Sequence, residues 1–302
     1  MKKLGIKVRQ LREDRGLTRE EFCGDESELS VRQLARIEGG NNNPNVVSIK
    51  YIANRLGMTV GELVDGQDLS LSADYLELKQ KLLRIPTYGD QARLKEREQY
   101  FTSIYERFYD QLPEDEQLII DCLQSKLDVH FSDNDSFGLG ILQDYFEQTF
   151  KKSTYTVNDF VFFDLYLVCF AYKKNQEHFY EEEQYDLVMA KLLNSNPPLA
   201  EEKFQLNNVL LNNIKLAFGL EKWDIIENIV SKSNQLMTEI HDFQKRPILS
   251  LIEWKYQLYA KQDTALATQS YQNAILFAKL IGDDYLEKQL SQEWQSDIDN
   301  VL

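Results

Sequence analysis

From the first residues to the last, apolar side chains return every three or four positions, and no segment sustains the two-residue alternation of a strand. A chain patterned this way is built from helices whose apolar stripes bury one another. The stripes are interrupted at Gly16, Gly57, Pro86, Pro113, the SDND stretch, Ser153 and Thr154, Asn196-Pro197-Pro198, Gly219, Pro247 and Gly282. Such residues end helices through a left-handed backbone, a missing N–H or a competing side-chain hydrogen bond. The spacing predicts five short helices up to residue 66 and eleven beyond it. The eleven fall at 74–84, 92–111, 114–131, 137–151, 157–175, 178–194, 200–218, 222–241, 244–260, 263–281 and 284–299. The fold class is therefore all-α. The longest apolar run, 161–172, is interrupted by Asp164 and too short to span a bilayer, so it reads as a buried core helix.

Three capping boxes punctuate the first 66 residues: Thr18-x-x-Glu21, Ser30-x-x-Gln33 and Thr59-x-x-Glu62. The second opens SVRQLARIEGG, which turns Val31, Leu34 and Ile37 to one face and projects Arg32, Gln33 and Arg36 elsewhere. Two helices joined by a turn, the second bearing Arg and Gln on its first turns, meet the requirement for reading a DNA major groove. There Arg donates twice to guanine and Gln pairs with adenine. Arg32, Gln33 and Arg36 are candidate base readers, although the capping box competes for Gln33. Ser30, Arg19 with Lys7, Arg9 and Arg12, and Asn41 with Asn43 are candidate backbone contacts. The run over residues 4–65 resembles the Cro/Xre-type helix-turn-helix family: it joins L-T-x-E-E, R-x-E-x-G, a Pro-containing loop, I-A-x-x-L-G and a final E-L. It departs from that family in a longer loop, Gly24 to Leu29.

Charge divides the chain in the same place. Residues 1–66 hold 11 Lys+Arg against 10 Asp+Glu, whereas the remaining 236 hold 23 against 39. An acidic body repels a phosphate backbone, so the head alone is suited to DNA. The boundaries expected are a helix-turn-helix domain at 1–66, a linker at 67–74, and a tetratricopeptide-like solenoid for peptide binding and dimerisation at 75–302. The solenoid reading rests on helix pairs of about 35–40 residues. Its clearest fragment is Ala267-x-x-x-Tyr271-x-x-Ala274, where small residues let paired helices approach and the aromatic fills the gap. Asn208 and Asn212 lie one helical turn apart in QLNNVLLNNIKLAF, beside Asn207 and Asn213. Their amides suit the backbone of an extended peptide, although solvent exposure explains some of them equally.

Head, linker and body together resemble the RRNPP superfamily of quorum-sensing regulators, the Rgg-like branch, and within it the streptococcal competence activators. The resemblance is carried by LSVRQLARIE, YIANRLG, YLELKQKLLRIPTY (75–88), YERFYDQLPEDE (105–116) and SYQNAILFAKLIGDDYLE (270–287). It implies a receptor for a short, hydrophobic, imported signalling peptide, whose binding in the repeats releases the head, promotes a homodimer on palindromic double-stranded promoter DNA and engages RNA polymerase indirectly. It also implies that Gly89 stands where relatives carry a pocket residue after P-T-Y. Glu114, in the Pro-Glu-Asp-Glu run at 113–116, has two readings. The helix dipole favours acids there, or Glu114 holds Arg32 in an autoinhibitory contact that the resemblance supports.

Other classes find little footing. Three Cys (23, 122, 169) form no C-x-x-C pair, and three scattered His (130, 178, 241) offer neither a zinc site nor a triad, so no cofactor, metal or catalytic residue is expected. No secretion signal opens the chain, which points to the cytoplasm without membrane contact. The alternative is a repeat-domain scaffold or repressor that binds DNA constitutively and recruits a protein partner.

Overall fold

The computed structural model describes residues 2–40, 43–64, 70–132, 135–175 and 182–301. Among them there is no strand; Asn43 and Pro113 form an isolated bridge. Packing divides the chain into two compact units, Met1–Pro86 with Ala92–Ser153, and Thr87–Gln91 with Thr154–Leu302. The 67–69 part of the expected linker lies outside the described residues.

The first unit opens with α1 (Lys2–Glu13), α2 (Arg19–Cys23), α3 (Val31–Glu38), α4 (Val46–Arg55) and α5 (Val60–Val64). All three capping boxes form. The Thr18 hydroxyl accepts from Glu21 N at 3.1 Å while Glu21 accepts from Thr18 N at 2.8 Å, and Ser30 and Gln33 do the same at 3.2 and 3.0 Å. Thr59 and Glu62 close the third at 3.2 and 2.7 Å. Leu4, Val8, Phe22, Leu29, Leu34, Ile37, Ile49, Ile52, Leu56 and Leu63 make one buried core. Where α1 crosses α3 the backbones meet so closely that a Cβ on Gly5 would stand 2.1 Å from the Ile37 carbonyl oxygen, so only glycine fits. The unit continues with α6 (Ala73–Arg84), α7 (Gln91–Arg107), a short 3₁₀ turn at Tyr109–Gln111, α8 (Glu114–Ser132) and α9 (Ser136–Lys151). Tyr75 on α6 is fully buried; its hydroxyl donates to Glu116 on α8 at 2.6 Å and Lys79 Nζ adds a second donor at 2.7 Å.

The second unit comprises α10 (Val157–Asn175), α11 (Glu182–Asn194), α12 (Ala200–Asn212), α13 (Ile214–Gly219), α14 (Trp223–Ile240), α15 (Arg246–Tyr256), α16 (Thr264–Leu280) and α17 (Asp284–Val301). Residues 178–181 of an expected helix lie outside the described residues. α10 is the buried helix its apolar run predicts, packed on α12, which packs in turn on α14. The expected helix 200–218 breaks in two at Asn213, whose side-chain amide donates to Asp164 at 2.7 Å and to the Val209 carbonyl at 3.0 Å. An Asn that bonds backward to its own helix competes with the ladder, and the buried Asp164 fixes it there. The tetratricopeptide spacing holds: Ala267, Ala274 and Ala278 are fully buried and α15 packs on α16. Tyr271 stacks on Trp294 with ring centroids 4.7 Å apart, and Trp254 meets both rings edge-on. Below this cluster Asp297 accepts from Trp254 Nε1, Lys255 and Tyr259 at 2.8, 2.6 and 2.7 Å. The last turn of α15 runs into a π-helical segment, Gln257–Lys261, and no described helix is long and apolar enough to cross a membrane.

Candidate nucleic-acid interface

The three candidate base readers all lie on α3, and each is engaged by α8 or α9 of the same compact unit. Arg36 Nη1 donates to Glu114 Oε1 at 3.0 Å. Arg32 Nη1 lies 2.6 Å from Asp144 Oδ2. Gln148 Nε2 donates to Gln33 Oε1 at 3.0 Å, an oxygen already bonded within the capping box. The expected pair of Arg32 with Glu114 is therefore corrected. Arg36 lies one helical turn beyond Arg32, and it is the residue that reaches the first turn of α8, while Arg32 faces the acid on α9.

The two ion pairs differ in weight. Arg32 and Asp144 are both about half exposed, 57 % and 47 %. Such pairs contribute about 0–1 kcal/mol after solvent screening and side-chain entropy. Glu114 is 8 % exposed and takes a second hydrogen bond from the Tyr145 hydroxyl at 2.5 Å. It also sits in the first turn of α8, where the helix dipole favours its charge. Glu114 is thus the stronger anchor. Burial and this carboxylate push the Tyr145 phenol upward, which keeps it a donor.

The loop after α3 is held as well. Asn43 Nδ2 donates to the Gln111 carbonyl at 2.8 Å. Asn45, the N-cap of α4, hydrogen-bonds to Asp115. Burial, and next the charge of Glu116, push Asp115 from an ordinary 3.8 up to about 6, against the help of Asn45. A carboxyl raised on folding disfavours its own charged form, so this group's contribution to stability falls as pH rises from about 4 to 6. Asp115→Asn is expected to stabilise the first unit at pH 7 by about 1–3 kcal/mol, a gain that vanishes near pH 4. Thermal melts at the two pH values check it.

The backbone-contact candidates fare differently. Arg12 is corrected: it is 7 % exposed and forms a two-bond pair with Glu38, at 2.6 and 3.2 Å. Its position explains this, because residues 4, 8 and 12 form one stripe of α1 and that stripe faces the core. Arg19 also donates to Glu38, at 2.8 Å, but remains 37 % exposed. Lys7 is drawn to the Glu62 and Leu63 carbonyls at the end of α5, and Arg9 to Glu13. Ser30 acts as the N-cap of α3. Asn41 lies outside the described residues.

In the second unit Asn208 is buried, with its amide 3.3 Å from Gln205 Oε1, whereas Asn212 is exposed and 3.4 Å from Asp164. Gly89 follows Tyr88, and both have positive φ, 84° and 49°. A Cβ on Gly89 would meet only the Tyr285 hydroxyl, at 3.8 Å. Backbone conformation, not lack of room, calls for glycine. Gly89→Ala is expected to cost about 1 kcal/mol in a thermal melt.

Sequence reading missed Asp144, Tyr145 and Gln148. They stand at i, i+1 and i+4 of α9, more than a hundred residues from α3, and nothing in their spacing marks them.

The ComR tetratricopeptide family model matches residues 73–294. The crystal structure of ComR from Streptococcus suis is 38 % identical over 98 % of this chain and 95 % of that one, with a TM-score of 0.80. The apo form of ComR from Streptococcus vestibularis is 30 % identical over 98 % of each chain, also at 0.80. ComR from Streptococcus thermophilus in complex with DNA and its signalling peptide ComS is 28 % identical over 97 % of this chain and 99 % of that one, at 0.70. Among curated proteins, the helix-turn-helix regulator DdrOP3 of Deinococcus deserti is 34 % identical over 64 residues, 21 % of this chain and 49 % of that protein. The chain thus spans about half the length of that curated relative. With its Cro/Xre-type head and its tetratricopeptide helices both accounted for, this chain belongs to the ComR family of RRNPP transcription regulators, which are not enzymes.

Proposed function

We propose that this chain is a peptide-pheromone-responsive transcriptional activator. Residues 1–66 read promoter DNA, 67–74 form the linker, and 75–302 bind the peptide and dimerise. Without peptide, the base readers Arg32, Gln33 and Arg36 are occupied by Asp144, Gln148 and Glu114. A short hydrophobic imported peptide, held in the repeats with the help of Asn208, Asn212 and the Gly89 turn, releases them. Two freed heads then bind a palindromic promoter, since a two-fold dimer matches a two-fold site. RNA polymerase is engaged from there, in the cytoplasm, on promoters that control competence. The observation that carries this reading is that all three side chains suited to base edges are already engaged within the protein.

The test is fluorescence anisotropy of a palindromic promoter duplex at fixed salt, with and without synthetic short hydrophobic peptides. Binding that appears only with one peptide is the expected result. Equally tight binding without any peptide would remove the gate and leave a constitutive binder.

A further inference from the structure

The longer loop that sets this head apart, Gly24–Leu29, is an ordered piece of structure. Leu29 is fully buried at its far end, and Phe22 and Cys23 anchor the near end. Between them Ser27 donates to Asp25 Oδ1 through both its N–H and its hydroxyl, at 3.1 and 2.8 Å. Glu26, flanked by these bonds, adopts a left-handed backbone with φ 62°. Its carboxylate Oε2 accepts from Val31 N, the first amide of α3, at 2.9 Å. The other oxygen, Oε1, has no hydrogen-bond partner among the described residues.

Capping alone does not account for Glu26. Ser30 caps α3 at Gln33 N and Glu26 satisfies Val31 N with one oxygen only, so capping leaves the second oxygen unused, and a left-handed position is cheapest for glycine. A negative charge beside a DNA-facing helix also weakens attraction to phosphates. What the position gains is a free carboxylate oxygen fixed to the leading end of the recognition helix. That end meets base edges when such a helix enters the major groove.

We propose that Glu26 is a specificity-determining residue of the DNA-reading surface, accepting a hydrogen bond from the exocyclic amino group of a cytosine. The inference rests on the DNA-binding function proposed above. Cytosine is favoured over adenine because the major-groove edge of adenine sets an N7 lone pair beside its amino group, which repels a carboxylate. Arg32, the next residue but one after the cap, offsets the approach of the negative charge to the phosphates.

The test is selection from a randomised duplex library with the full chain carrying Glu114→Gln and Asp144→Asn, so that no peptide is needed. The same selection is run with Glu26→Ala and Glu26→Gln added. One cytosine preference per half-site is expected to fall roughly fivefold or more with alanine, and to move toward adenine with glutamine. Glu26→Gly, which relieves the left-handed backbone, keeps the melting temperature at or above that of the parent and loses the same preference, so misfolding is separable. An unchanged sequence preference in the alanine variant, with or without a uniform rise in affinity, overturns the inference and leaves a cap. A parent that enriches no sequence even when the synthetic short hydrophobic peptides are added overturns the DNA-binding reading itself, and Glu26 as a reader with it.

Discussion

Neutralising the two carboxylates that hold the recognition helix, Glu114→Gln together with Asp144→Asn, is expected to raise peptide-free affinity for promoter DNA by roughly 30- to 100-fold. The larger share belongs to Glu114, which is nearly buried and receives both Arg36 and Tyr145. Hydrogen bonds to a charged group contribute about 1.5–3 kcal/mol. Asp144 faces Arg32 across a pair half open to water, so its loss contributes about 1 kcal/mol at most and fades as salt rises. Because each 1.4 kcal/mol is tenfold in affinity, the double variant samples the binding-competent head far more often. Anisotropy titrations of wild type, each single variant and the double variant measure this. A double variant indistinguishable from wild type without peptide would show that these contacts do not gate DNA access.

Glu38 carries the second large effect. Its carboxylate is 1 % exposed and lies between Arg12, itself 7 % exposed, and Arg19. Removing one partner of a buried pair leaves the other charge without compensation, a loss of about 3–5 kcal/mol. Glu38→Ala is therefore expected to lower the melting temperature of the head by about 10 °C or more and to abolish DNA binding whatever the peptide concentration. Arg19→Ala, at a partly solvated position, costs far less. If Glu38→Ala melted with the wild type, the Arg12–Glu38 pair would not support the head. Circular dichroism melts combined with anisotropy separate a destabilised head from one that is merely locked.

Local chemistry was legible wherever the signal is local. A hydroxyl three residues ahead of a Glu or Gln predicts a helix start, and Thr18, Ser30 and Thr59 each form one. The small-aromatic-small spacing around Tyr271 likewise becomes a tight helix pair. What the sequence concealed depends on distant partners. The break at Asn213 requires Asp164, 49 residues away. Arg12 read as a surface cation because Glu38 was not known to sit beneath it, although the 4–8–12 stripe was in plain view. That Arg36 rather than Arg32 meets Glu114 follows from which face of α3 meets α8 and which meets α9, and charge counting does not resolve that rotation.

On the proposed function, the side chains that read DNA are the same ones engaged by α8 and α9 in the silent state. A substitution at Arg32, Gln33 or Arg36 that adapted the protein to a new operator would also alter the grip of Asp144, Gln148 or Glu114, and hence its leakiness. If that proposal holds, operator preference and background expression are inherited together, and a lineage that rewired one would have to repair α8 and α9 to recover the other.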